Sequence, residues 1–138
     1  RQKSVDFVAR MAKSIGLTNV ETIHSRIEDL GQEESHREKY DLVTCRALSS
    51  VRVLMEYTLP LTKNGGFSFY YKGPKLDEEL SEASNAIKLL GVESENIEIY
   101  RLLPPEIPFE RNFISILKTR SVAAKYPRKA GTPLSKPL

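Results

Sequence analysis

Three segments of the chain carry apolar residues at the three- and four-residue spacing of an amphipathic helix. They span residues 3–15, 50–61 and 76–90. Gly16 and Gly91 follow the first and the third segment, and glycine is common just past a helix C-terminus. The pattern therefore predicts three helices, each with one face for packing against a neighbour.

Short apolar runs between these segments predict five β-strands, at residues 20–24, 40–46, 67–71, 97–103 and 112–119. The run at 40–46 is compact and has charges near its ends, which is typical of a buried parallel strand. Asn64-Gly65-Gly66 predicts a turn before the third strand. Residues 25–30 favour a short helical turn, and the polar residues 31–39 favour a surface loop or a frayed helix.

The order of these elements predicts an α/β fold. Helices alternate with the first four strands, which favours a parallel sheet. The last two strands have no helix between them, and the short connection through Pro108 and Glu110 permits antiparallel pairing. On this pattern alone, several doubly wound folds remain open.

Composition adds limits. The chain has 138 residues, enough for one domain with a core. No apolar run approaches the ~20 residues of a membrane span, and no signal peptide is visible. Cys45 is the only cysteine, which excludes a disulfide framework and a multi-cysteine metal site and agrees with a reducing cytoplasm. Its place inside an apolar strand predicts a core thiol rather than a reactive one.

The net charge of +3 is unevenly distributed. Residues 118–138 contain six basic residues and no acid, whereas the rest of the chain holds 15 basic and 18 acidic residues. A basic tail on an acidic body is typical of an arm that binds a polyanion. A solvated, disordered terminus is the alternative.

Ligands of open α/β sheets bind beyond the carboxyl ends of parallel strands. In this chain that rule selects residues 25–28, 45–47 and 72–74. Glu28 is suited to accept a hydrogen bond from an adenine amino group or a ribose hydroxyl, or it stabilises a helix N-terminus.

Two basic residues mark the other places. Arg46 ends an apolar strand, and its planar guanidinium suits a carboxylate or a phosphate; a structural ion pair is the alternative. Lys72 precedes Gly73, where a ligand can approach the backbone closely; a solvated strand end is the alternative. Of the neighbours Tyr70 and Tyr71, one is expected in the core and the other at the cleft.

Other arrangements are absent from the sequence. It has neither a Gly-x-Gly-x-x-Gly loop nor a P-loop, and no recognisable combination of nucleophile, histidine and acid. His24 and His36 are too far apart to suggest a metal site. We therefore assign no catalytic residue and no metal.

Four motifs together resemble one family. They are Ser25-Arg26-Ile27-Glu28-Asp29, the run from Tyr40 to Ala47, Lys72-Gly73, and Tyr126-Pro127-Arg128-Lys129-Ala130-Gly131-Thr132-Pro133. The chain resembles, over essentially its whole length, the RsmG or GidB family of bacterial 16S ribosomal RNA guanine-N7 methyltransferases. The resemblance implies a class I, Rossmann-like fold, S-adenosyl-L-methionine as cofactor, and 16S ribosomal RNA or the small-subunit particle as partner in the cytoplasm.

The resemblance also implies site residues. Those expected to bind the cofactor are Ile27 and Glu28, on the adenosine part, and Arg46, at the cleft between cofactor and substrate. Those expected to hold RNA phosphate or the target guanine are Lys72, Arg128 and Lys129.

Residues 1–120 would form the C-terminal part of the methyltransferase domain, and residues 121–138 a basic tail facing RNA. The family's glycine-rich cofactor loop should precede Arg1, so the fold is expected to be incomplete at its N-terminus and this chain inactive alone. The strand at 40–46 would then be an exposed edge, prone to dimerisation, aggregation or rearrangement. The alternatives are a non-catalytic RNA-binding or structural fragment, and a Rossmann-like nucleotide-binding domain of other function.

Overall fold

The computed structural model describes residues 2–46, 48–103 and 110–138. Within these ranges the helices are α1 Gln2–Ser14, α2 Ile27–Leu30, α3 Val51–Thr58, α4 Leu76–Glu82, α5 Ser84–Leu90 and α6 Thr132–Ser135, with one 3-10 turn at Ser94–Asn96. The strands are β1 Tyr40–Arg46, β2 Thr62–Lys72, β3 Ile97–Leu102 and β4 Arg111–Leu117. The predicted connection through Pro108 lies outside the described residues.

The four strands form one sheet in the order β1-β2-β4-β3. β1 and β2 are parallel, while β4 runs antiparallel to both β2 and β3. The expected mixture of a parallel part with a closing antiparallel pair is therefore confirmed. Because β4 reverses direction, its first residues lie beside the last residues of β2 and β3.

One face of this sheet holds the core. Tyr70, Ile114 and Ile116 are fully buried there and pack with Leu54 and Met55 of α3. The alternation of side chains along a strand sends the neighbours of these residues to the opposite face. On that face Phe67, Tyr71 and Tyr100 are 43–46% exposed.

Two expectations about strands are wrong. Residues 20–24 form no strand, because no extended segment among the described residues pairs with them. The segment 40–46 is a parallel strand, but it is not buried: it lies at the edge of the described sheet, and Leu42 is 57% exposed. The expectation that this segment forms an exposed edge of the sheet is confirmed for the described residues.

Two local predictions also change. The helix predicted over 76–90 is interrupted at Ala83, whose φ of −86° and ψ of 0° separate α4 from α5. The turn at 64–66 lies inside β2, where the pairing with β1 skips from Thr62 to Phe67. Gly65 has a φ of 83° at this irregularity, a conformation that favours glycine.

The basic tail is folded against the rest of the chain. Val122, Tyr126 and Pro133 are buried, and α6 lies near the C-terminus. The alternative of a disordered terminus is therefore wrong, since apolar side chains of the tail have partners in the core cluster.

Candidate functional site

A cavity of about 530 Å³ lies where β1 and β2 end and β4 begins. Its wall is formed by Arg46, Tyr71, Lys72, Gly73, Arg111, Asn112 and Phe113. Two of the predicted site residues, Arg46 and Lys72, are thus brought together, because the carboxyl ends of parallel strands meet at one edge. The cavity combines three cationic side chains with two aromatic rings, a composition that suits an anionic or aromatic ligand.

Arg46 is exposed at this edge. Its guanidinium has no ion pair among the described residues, so the structural ion pair considered for it is not formed there. The rings of Tyr71 and Phe113 lie edge to face, with centroids 5.2 Å apart. These two rings present an apolar surface in the same cavity as the guanidinium of Arg46. Tyr71 thus lines the cleft while Tyr70 lies in the core, as the alternation of faces predicts.

Lys72 is held from two sides. Its Nζ donates to the carbonyl oxygen of Ser49 at 2.8 Å and forms a 2.6 Å ion pair with Oε2 of Glu79. The same carboxylate oxygen accepts the backbone N–H of Val51, the first residue of α3. The Lys72 side chain is 8% exposed, so the alternative of a solvated strand end is wrong. Lys72 joins the end of β2 to the loop that follows β1.

Asn112 is one of the cavity residues from β4 that were not predicted from the sequence. It is 1% exposed, and its Nδ2 donates to the carbonyl oxygen of Gly73 at 3.0 Å. This bond orients the amide and leaves Oδ1 as an acceptor without a partner among the described residues. A buried acceptor without a donor costs about 1–3 kcal/mol, so a ligand donor at this atom would be favourable.

The other predicted site residues lie in a second cluster, outside the cavity wall. Glu28 is 4% exposed, and its Oε1 accepts the backbone N–H of Gly131 at 2.8 Å. Burial and the neighbouring Glu28 carboxylate raise the pKa of Tyr57 above its ordinary value. Ile27 is half-buried beside Glu28.

Arg128 belongs to the same cluster. Its Nε and Nη2 donate to the two carboxylate oxygens of Glu56, at 2.8 and 2.6 Å, and its backbone N–H donates to Oε1 at 2.9 Å. Glu56 is fully buried in α3. The hydrogen bond between the side chains of Glu56 and Arg128 raises the pKa of Arg128 above its ordinary value. Lys129, the next residue, is exposed.

Nowhere in the described part of the chain do three His, Cys, Asp or Glu side chains come together as metal ligands would. Among the same residues, no helix has the length and apolar content needed to cross a bilayer.

Comparison with known proteins identifies the family to which the chain is similar. The model of the family described as rRNA small subunit methyltransferase G, GidB, matches residues 1–103. Proteins named "Ribosomal RNA small subunit methyltransferase G" are 46% identical to this chain in Desulforamulus reducens, 42% in Lactobacillus acidophilus and 43% in Brevibacillus brevis. Each alignment covers 136 residues, which is 99% of this chain and 56% of the relative. The chain thus spans little more than half the length of these relatives.

The fold agrees with that result. A solved structure described as a SAM-dependent O-methyltransferase from Thermotoga maritima matches with a TM-score of 0.52 and 12% identity, over 88% of this chain and 49% of that one. At this identity the likeness shows the fold alone, which is the expected Rossmann-like fold of class I methyltransferases. The match over residues 1–103 and the identities above 40% show more: the chain belongs to the rRNA small subunit methyltransferase G family.

Proposed function

We propose that the completed protein transfers a methyl group from S-adenosyl-L-methionine to guanine N7 of 16S ribosomal RNA in the cytoplasm. By completed protein we mean this chain joined to the upstream segment that the family resemblance predicts. The observation that carries the proposal is the cavity at the strand ends, where Arg46 and the Oδ1 atom of Asn112 have no protein partner within the described ranges. The names of the relatives support the reaction and the RNA substrate.

The residues present fit part of the cofactor. S-adenosyl-L-methionine supplies an activated methyl group on a sulfonium, and it carries a carboxylate and an adenosine. Arg46, whose guanidinium forms no ion pair with the part of the chain that the structure describes, is suited to bind the carboxylate. Ile27 offers an apolar contact, and Glu28 offers acceptor capacity beyond its bond to Gly131, since an ionised carboxylate accepts about four hydrogen bonds.

The cavity also fits a purine base. Tyr71 and Phe113 offer aromatic surface on which a base can stack. The Oδ1 of Asn112 is an acceptor suited to the N1–H or the N2 amino group of guanine, whereas adenine has an acceptor at N1. This contact leaves N7 free. The N7 lone pair needs no deprotonation before attack, so the protein's task is alignment and electrostatics, and no general base is required.

The RNA backbone would contact basic residues around these sites. Lys129 is exposed, and we propose it as a phosphate contact. Lys72 spends two donors on Ser49 and Glu79, which leaves the third N–H of its ammonium for the guanine or a phosphate. Arg128 is occupied by Glu56, so we give it a positioning role instead.

The experiment is calorimetric titration of the completed protein with S-adenosyl-L-methionine, followed by a methyl-transfer assay on small-subunit particles. Arg46→Ala should weaken cofactor binding about tenfold or more, the value of a charge-assisted hydrogen bond. Asn112→Ala should lower kcat/KM for transfer while cofactor affinity stays within twofold. Lys88→Ala, on the exposed side of α5, is the control and should change neither quantity. A completed protein that binds no cofactor would contradict the proposal.

A second candidate is a non-catalytic RNA-binding or structural role of this chain by itself. It is favoured by the exposed basic side chains Lys125 and Lys129 in the tail, which can contact RNA phosphates without a cofactor. In that case the chain alone should retain small-subunit RNA on a filter at low salt and show no heat of cofactor binding. RNA retention that is unchanged by Lys129→Gln and by added salt would contradict this role.

A further inference from the structure

We infer that the C-terminal segment 122–131, called here the tail strap, positions the cofactor-side loop 26–32 and is not a free arm for RNA. The inference rests on the proposed function, since Glu28 in that loop is the proposed adenosine ligand. It reverses the role that the basic composition of the tail suggests. Three sets of contacts carry it.

The first set joins the tail strap directly to the loop. The backbone N–H of Gly131 donates to Oε1 of Glu28 at 2.8 Å. Nε2 of Gln32 donates to the carbonyl oxygen of Pro127 at 2.8 Å. Gly31 lies against the ring of Pro127 so closely that an added Cβ would be 2.7 Å from its Cγ. The loop and the tail strap are therefore packed and hydrogen-bonded along their length.

The second set passes through Arg37, which lies just beyond the loop. Its Nη1 donates to the carbonyl oxygens of Gly31 at 2.8 Å and Tyr126 at 2.7 Å. Its Nη2 donates to that of Val122 at 2.9 Å. The guanidinium of Arg37 thus binds the loop at Gly31 and the tail strap at Val122 and Tyr126. The sequence predicts a polar surface loop or a frayed helix around Arg37, and it does not indicate these contacts.

The third set anchors the tail strap to the core. Arg128 forms three hydrogen bonds with Glu56, and the carboxylate of Glu56 is fully buried in α3. A buried carboxylate is strongly unfavourable without a partner, so this pair fixes where the tail strap lies. Gly131 lies three residues after Arg128 in the tail strap. Because Arg128 is fixed, the backbone N–H of Gly131 is held where it donates to Glu28.

The helical part of the loop is short. α2 has four residues, and its N-cap residue Arg26 makes no side-chain cap. A helix of one turn is unstable by itself, because nucleation fixes several residues for each hydrogen bond gained. The carboxylate of Glu28 is therefore held by contacts outside the loop, with Gly131 of the tail strap and with Tyr57 of α3.

The charges of the tail agree with this role. Arg128 faces Glu56, and Lys118, just before the tail strap, faces Glu38. Arg120 donates through Nε to the carbonyl oxygen of Gly91. Three of the six basic residues in segment 118–138 are thus engaged by the body of the chain, which reduces the charge left for RNA.

The test compares Arg128→Gln with Lys129→Gln in the completed protein. Arg128→Gln should weaken binding of S-adenosyl-L-methionine about tenfold, the usual size of coupling through one contact. It should also speed hydrogen exchange of the amides of residues 27–31, while RNA retention at saturating cofactor changes less than twofold. Lys129→Gln should leave cofactor affinity and amide exchange unchanged and lower RNA retention.

Two further variants test the inference in case Arg128→Gln does not fold. Gln32→Ala removes only the bonds to the Pro127 and Ala124 carbonyl oxygens and should give a smaller change of the same sign. Glu56→Gln should reproduce Arg128→Gln, and the double variant should be no worse than either single one.

Equal loss of RNA retention in Arg128→Gln and Lys129→Gln, with unchanged cofactor affinity and amide exchange, would overturn the inference. If the unaltered completed protein binds no cofactor, the proposed function fails, and the amide exchange of residues 27–31 still decides whether the tail strap holds Glu28. Unchanged exchange in Arg128→Gln and Gln32→Ala overturns the inference in that case too.

Discussion

Lys118 at the end of β4 and Glu38 before β1 are joined by an ion pair, with Nζ 2.7 Å from Oε1. The ammonium group is 3% exposed and also donates to the carbonyl oxygens of Leu59 and Thr62, at 2.8 and 2.7 Å. All three protons of the buried ammonium are therefore used. The second carboxylate oxygen of Glu38 accepts the hydroxyl of Ser121 at 3.1 Å.

This pair predicts a loss of stability in acid. Burial raises the pKa of Glu38, but the hydrogen bond and charge of Lys118 outweigh it, so the net pKa is below its ordinary value of 4.5. An acid with a depressed pKa stabilises the fold above its unfolded pKa, and the contribution is lost as pH falls through the folded pKa. Glu38→Gln should therefore cost roughly 1–2 kcal/mol at neutral pH and progressively less below pH 4.5.

The measurement is the Tm of both proteins between pH 7 and pH 3. The gap between them should narrow as the pH falls. The exposed Glu95 is the control, because it forms no ion pair with the described residues and its replacement by Gln should change the Tm little. A constant gap for Glu38→Gln would show that the ion pair does not contribute through its charge.

Tyr70 and Thr58 form a buried hydrogen bond that predicts a second stability effect. Their oxygens are 2.6 Å apart, and Oγ1 of Thr58 donates its single proton to the carbonyl oxygen of Leu54 at 2.9 Å. The phenol of Tyr70 is thus the donor. Tyr70→Phe should cost about 1 kcal/mol in urea unfolding, because the remaining hydroxyl keeps its own acceptor. Tyr71→Phe, on the exposed face, should cost nothing measurable, and an equal loss in both variants would contradict the assignment.

Much of the fold could be predicted from the sequence because helical spacing and short apolar runs are local signals. The strand predicted at 20–24 does not form, since a strand forms only against a neighbour, and an apolar run does not reveal whether one is present. The break between α4 and α5 at Ala83 was not predicted either, because the apolar stripe of the sequence continues across it. In each case the deciding interaction is with another part of the chain.

The candidate site divides in the same way. Arg46 and Lys72 were found because parallel strands end at one edge. Arg111 and Asn112 were missed because β4 is antiparallel, so it is the beginning of that strand which reaches the cavity. The charge count of the tail did not reveal that Glu56, which is fully buried in α3, would bind Arg128.

Cys45 offers a chemical test of the core on the helix-covered side of β1. Its side chain packs against the hydrophobic cluster, and burial raises the pKa of the thiol above its ordinary value. Only the thiolate reacts readily with alkylating agents. We expect iodoacetamide at pH 8 to modify the folded chain much more slowly than the chain in urea. Equal rates would place the thiol outside the packed core.

The exposed edge of β1 predicts self-association of the 138-residue chain. Within the described residues no strand pairs with the outer side of β1, and Leu42 is 57% exposed beside the open face of the sheet. Exposed apolar edge strands template pairing with other chains, and a lysine there opposes it. We therefore expect light scattering after size exclusion to show dimers or aggregates, and Leu42→Lys to shift the chain towards monomer. Leu89→Lys, on α5 and 40% exposed, adds the same charge away from the edge and should leave the distribution unchanged. A stable monomer in the unaltered chain, or an equal shift in both variants, would contradict association through β1.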